Sequence, residues 1–158
     1  MRSLEDIPNF LRINDQLATG GMPEPGDFSL LRQAGFGVVI NLALPTSDGA
    51  IPNEGELVSR EGMSYIHVPV KFDSPRVEDF ERFSRIVESC AGERIFVHCV
   101  ANFRVAAFVF LHRLRHHSDR QAAENDLLRI WKPDEVWQTF MNERLTAWNE
   151  PPLDTVST

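Results

Sequence analysis

Cys99 and Arg104 stand with four residues between them in His98-Cys99-Val100-Ala101-Asn102-Phe103-Arg104, where a nucleophile and a fixed cation meet at short range. A thiol and a guanidinium so placed can act as nucleophile and as clamp for a tetrahedral oxyanion. The attacking species must be the thiolate, so positive charge and backbone N–H groups have to lie close to the sulfur. The same donors bind an anion, because amides of a loop at a helix N-terminus cradle phosphate oxygens and a guanidinium holds two of them through parallel bonds. Nucleophile and anion site therefore coincide, which thiol attack on a phosphoryl group needs. Val100, Ala101, Asn102 and Phe103 supply the cradle, and His98 is expected to orient it through its ring nitrogens. The leaving oxygen requires a proton, and Asp73 in Lys71-Phe72-Asp73-Ser74-Pro75 is the candidate general acid.

These residues need a strand, a turn and a helix to hold them. Ile95-Phe96-Val97 reads as a short strand, and Phe103 to Leu114 is apolar nearly all round, as a helix inside a domain is. Upstream, Leu17 to Thr19, the β-branched Val38 to Leu42 and Tyr65 to Val68 read as further strands. Helices are expected from about Pro25 to Ala34, Pro52 to Glu61 and after Pro75, where Val77, Phe80, Phe83, Ile86 and Val87 make one apolar face. Ser118 with Gln121 resembles a capping box for a helix to about Trp131, and Pro133 fits the first turn of a last helix ending near Trp148. Strands alternating with helices predict a single-domain α/β sandwich with a mostly parallel sheet of four to five strands flanked by helices. In such sheets ligands bind beyond the carboxyl ends of the strands, where both Cys99 and Asp73 fall. Residues 1–15 read as an N-terminal extension and 151–158 as a flexible tail.

A net charge of −7, spread along the 158 residues, argues against nucleic acid and against an anionic membrane surface as partners. A phosphorylated substrate, protein or small molecule, must then be held by a local positive site. No apolar run reaches the length of a membrane span, so a cytoplasmic protein is expected. With only Cys90 and Cys99 there is no disulfide framework, and in a reducing compartment either thiol can be reactive.

On these residues the chain resembles the atypical dual-specificity branch of the protein tyrosine phosphatase superfamily, from about Leu17 to Leu114. The pieces are Ala18-Thr19-Gly20-Gly21-Met22-Pro23, Val39-Ile40-Asn41-Leu42, Val68-Pro69-Val70 with Asp73 beyond it, and Val97-His98-Cys99. It is most similar to a bacterial group of phosphatase-like domains of mostly unassigned function. The resemblance implies that Cys99 forms a phosphocysteine, Arg104 binds the phosphate, Asp73 is the general acid, and no metal or other cofactor takes part. Two departures stand out. The superfamily loop has five residues between Cys and Arg with a glycine among them, whereas here there are four and Asn102 takes the glycine's place. Val105 replaces the hydroxyl residue that assists thiolate departure in the second step.

Two other readings use the same residues. The short loop is similar to that of rhodanese-like sulfurtransferases, in which Cys99 would carry a persulfide. A phospho-binding module with little turnover would keep the anion site alone. Elsewhere, His112, His116 and His117 read as a solvated helix end without a cysteine or carboxylate at matching spacing, and Trp131, Trp137 and Trp148 as packing that docks the last helices. Cys90 reads as a thiol at a helix end, the alternative being a resolving partner for Cys99 under oxidation.

Overall fold

In Val38-Val39-Ile40-Asn41 every side chain is buried, Val38 and Ile40 in one apolar cluster and Val39 in another. Successive side chains of a strand point to opposite faces, so such a strand must lie in a sheet covered on both sides. Ile95-Phe96-Val97 divides the same way, with Phe96 alone in the second cluster. The computed structural model, which describes residues 1–153, meets that demand with a three-layer α/β sandwich.

Five strands, β1 (Leu11–Arg12), β2 (Leu17–Gly20), β3 (Val38–Asn41), β4 (Ser64–His67) and β5 (Ile95–His98), form one sheet in the order β1-β2-β5-β3-β4. Only β1 runs antiparallel to its neighbour. On one face lie α1 (Asp27–Gln33) and α2 (Glu54–Arg60), with Phe28, Leu31 and Val58 inward. On the other lie α3 (Val77–Ser89), α4 (Phe103–Arg115), α5 (Arg120–Ile130) and α6 (Glu135–Ala147). α4 is buried without a break from Arg104 to Leu111 and packs on the sheet beneath α5 and α6, which explains its all-round apolar sequence.

β1 and a 3₁₀ turn at Leu4–Asp6 were not expected, since elements this short carry no period to read. They fold the first fifteen residues onto the sheet: Leu4 and Ile7 are buried, and Leu11 pairs with Thr19. The capping box at Ser118 and Gln121 does not form. His117 takes a left-handed φ of 60°, and the Ser118 N–H turns back to the Arg113 carbonyl at 3.0 Å, so Ser118 closes α4 instead of opening α5. Pro133 precedes the first turn of α6; the cap is Asp134, whose Oδ1 accepts the Trp137 N–H at 3.0 Å. Of the segment expected as a tail, Leu153 is docked, 5% exposed, with its N–H on Asn142 Oδ1 at 2.8 Å, and 154–158 lie outside the described residues. Among the described residues no helix is long and apolar enough to cross a membrane.

Candidate active site

β5 is the central strand, and its carboxyl end delivers Cys99 between the ends of β2 and β3. The Cys99 N–H still bonds to the Gly20 carbonyl at 3.3 Å, after which the chain leaves the sheet. Each carbonyl of the turn is then tied from outside. The Cys99 carbonyl accepts from His98 Nδ1 at 3.1 Å, that of Val100 from the Met22 N–H at 2.9 Å, and that of Ala101 from Asn9 Nδ2 at 2.9 Å. With the carbonyls drawn outward, the amides of Val100 to Val105 have no acceptor among the described residues. They form a run of unpaired donors at the N-terminus of α4, where the helix dipole adds positive potential.

Asn102 makes the bend. Its φ of 71° and ψ of 5° are left-handed, a conformation that asparagine tolerates better than most residues with a side chain. Its side chain points away from the loop's concave side, Nδ2 donating to the Asn9 carbonyl at 2.8 Å and to Thr19 Oγ1 at 2.9 Å. Asn102 therefore contributes backbone to the cradle and no side-chain contact surface. Gly21 lets the loop come close: a Cβ there would stand 2.3 Å from the Val100 carbonyl oxygen.

Cys99, Arg104 and Asp73 line one open cleft of about 780 Å³, together with Val100, Ala101 and Phe103. Arg104 is 6% exposed and donates one Nη1 bond to the Val70 carbonyl at 2.8 Å. Its other nitrogens bond to no described residue, which leaves the guanidinium free to grip an anion. Asp73 is exposed, in the turn Lys71 to Ser74 that follows Val70. Lys71, Phe72 and Asp48 also face the cleft.

His98 is not at the cleft. It is fully buried behind the loop, and both ring nitrogens meet oxygen: Nδ1 the Cys99 carbonyl, Nε2 the Glu54 carboxylate at 2.5 Å. A carbonyl only accepts, so Nδ1 donates to Cys99, and a hydrogen bond joins Nε2 to the Glu54 carboxylate. Glu54, 3% exposed, also accepts from Asn41 Nδ2 at 3.3 Å, and Asn41 donates to the Tyr65 hydroxyl at 3.1 Å. Burial raises Tyr65 above the ordinary tyrosine range. Glu54 was missed from sequence, as was Asn9; a glutamate in a polar first turn and an asparagine in a presumed extension look like surface. Gly21 and Thr19 belong to the Ala18 to Pro23 motif, where nothing local in the sequence marks their contacts with the loop after β5.

Cys90 and Cys99 lie at opposite ends of β5. Cys90 borders a separate hollow with Leu17 and Ile95, and the strand between spans roughly 13 Å at its usual rise, beyond the Cα separation that a disulfide allows. A resolving role for Cys90 is excluded by that geometry. That hollow also holds His112, bonded to Ser84 Oγ at 2.8 Å, and His116, whose Nε2 meets Glu88 Oε1 at 3.0 Å, so a carboxylate does accompany these histidines. Among the described residues no three His, Cys, Asp or Glu side chains are placed to hold a metal ion.

A thiol at the carboxyl end of a central parallel strand, over a helix N-terminus and beside an arginine of that helix, defines a protein tyrosine phosphatase-like architecture, and solved structures agree. Tk-PTP in its active form is 20% identical with a TM-score of 0.69, covering 89% of this chain and 95% of that one. The core catalytic domain of the PP-IP phosphatase SIW14 from S. cerevisiae is 16% identical with a TM-score of 0.69, covering 90% and 94%. A candidate phosphatase (DUF442) from Shewanella putrefaciens CN-32 is 34% identical with a TM-score of 0.82, over 92% of this chain and 96% of that one. Identity at that level along both whole chains makes this chain a member of the DUF442 family. No family model matches it. The beta-lactamase hydrolase-like protein of Xylella fastidiosa (strain Temecula1 / ATCC 700964) is 32% identical over 98 residues, 58% of this chain and 22% of that protein, so the match spans about a fifth of the curated relative.

Proposed function

We propose that this chain is a cysteine-dependent phosphatase that hydrolyses a phosphate monoester through a phosphocysteine on Cys99. What carries the reading is the coincidence in one cleft of Cys99, the free side of the Arg104 guanidinium and Asp73, over the unpaired amides of Val100 to Val105. In the first step the Cys99 thiolate attacks phosphorus, the P–O bond to the leaving group breaks, and Asp73 gives its proton to the departing oxygen. In the second, water attacks the phosphocysteine, Asp73 takes the water's proton, and inorganic phosphate and the thiolate are released. Arg104 and the amides stabilise the equatorial oxygens in both. The Val105 side chain is fully buried and has no hydrogen bond to offer the departing sulfur. A cytoplasmic setting suits an unpaired reactive thiol, which persists where thiols stay reduced.

The phosphatase neighbours support phosphoryl over sulfur transfer. The test offers purified protein 4-nitrophenyl phosphate and, separately, thiosulfate with cyanide. Turnover of the first is expected, falling about 1,000-fold or more in Cys99→Ser and Arg104→Ala. Turnover of thiosulfate alone would establish the rhodanese-like reading, and phosphate binding without turnover the non-catalytic one.

A further inference from the structure

Trp137 on α6 is fully buried, yet its indole N–H reaches out of the core. The ring packs against Phe108 of α4 and Phe140 of α6, with centroids 5.9 and 5.8 Å away, while Nε1 donates to the Phe72 carbonyl at 2.7 Å. Phe72 immediately precedes Asp73. The residues from Lys71 to Ser74 are exposed, and few bonds hold them: Ser74 N–H to the Lys71 carbonyl at 3.3 Å, and Arg104 Nη1 on the Val70 carbonyl just before. The Phe72 ring lies over Trp137 at 6.1 Å and over Trp131 at 5.7 Å, and Trp131 stacks in parallel on Phe103 at 4.6 Å. Trp137 itself is fixed at its backbone, because its N–H donates to the capping carboxylate of Asp134. Packing does not demand the indole bond, since Trp131 Nε1 is buried without a partner among the described residues.

We propose that Trp137 is a positioning residue for the general acid: its Nε1–H fixes the Phe72 carbonyl and so holds Asp73 toward the leaving oxygen. The inference rests on the reading of Asp73 as that acid and adds the group that aims it. Loss of the indole bond frees the turn to wander in solvent while Cys99, Arg104 and the cradle keep their places. The cost then depends on the leaving group. An ester whose leaving oxygen needs a proton suffers, and one whose leaving group departs as an anion does not.

The experiment measures kcat/KM of Trp137→Phe, Asp73→Asn and the double variant with phenyl phosphate and 2,4-dinitrophenyl phosphate. The expected result is a loss of about tenfold for Trp137→Phe with phenyl phosphate, under about twofold with the dinitrophenyl ester, and no further loss when it is added to Asp73→Asn. Equal losses with both esters, or a full additional loss on top of Asp73→Asn, would overturn the positioning role and leave Asp73 in place. If Asp73→Asn itself turns over phenyl phosphate at the wild-type rate, the acid assignment fails and this inference with it. Should Trp137→Phe melt out by circular dichroism, β-(3-benzothienyl)alanine introduced at position 137 keeps the ring's shape without the N–H and must give the same pattern.

Discussion

Glu54 shows how a residue that never touches the cleft bears on its chemistry. Its carboxylate holds His98 Nε2, the opposite nitrogen holds the Cys99 carbonyl, and that carbonyl's direction decides where the next amide points. Glutamine at this place keeps a hydrogen-bonding group of the same size but removes the carboxylate that His98 Nε2 and Asn41 Nδ2 both meet. Glu54→Gln is expected to lower kcat/KM about tenfold with 4-nitrophenyl phosphate and to slow alkylation of Cys99 by iodoacetate. Glu54→Leu instead leaves the buried His98 Nε2 without its partner and takes one of two acceptors from Asn41 Nδ2, and it is expected to cost about 1–3 kcal/mol in urea unfolding.

Between elements, the loop after β5 is held by β2 and by the chain before β1 more than by itself. Gly21 lies just past β2, and adding one methyl there sets carbon 2.3 Å from the Val100 carbonyl oxygen, a backbone atom that can yield only by moving the cradle. Displacement of catalytic groups by about 1 Å costs on the order of 100-fold in rate, so Gly21→Ala is expected to lose about that in kcat/KM while a thermal melt shows it still folded. How much of this was legible follows from what kind of signal each part leaves. β3 and β5 were plain because burial on both faces writes a continuous apolar run, and α4 because a helix between two layers has no polar side. Cys99 and Arg104 stood out because a thiol and a guanidinium fall together at a strand–helix turn, and Asp73 because its loop follows a strand at the same sheet edge; all three line one cleft. The residues that fix them, Asn9, Glu54 and Trp137, act through single hydrogen bonds across 92, 44 and 65 residues of sequence, and no local period marks such contacts. Ser118 misled because its neighbourhood served two helix ends at once, and the closing of α4 won.

For the molecule as a whole, pH acts on stability through His112, at the interface of α3 and α4. Burial, reinforced by the nearby His116, lowers it from its ordinary value of 6.5 to about 4, against a smaller upward pull from Glu88. A histidine kept neutral in the native state but free to protonate when unfolded makes the unfolded chain the better proton binder below pH 6.5. Its contribution is therefore complete above that pH and drains as pH falls toward 4, by up to about 3 kcal/mol. In His112→Gln, the loss of unfolding free energy between pH 7 and pH 4, read from urea titrations, is expected to be smaller than in wild type by about 2–3 kcal/mol. The whole strand β5 also separates the chain's two sulfurs. A peroxide that converts Cys99 to a sulfenic acid finds no thiol inside this chain to condense with. Recovery has to come from a reductant in solution, which must enter by the same mouth as the phosphoester, so a bound anion shields the enzyme from damage and delays its repair alike.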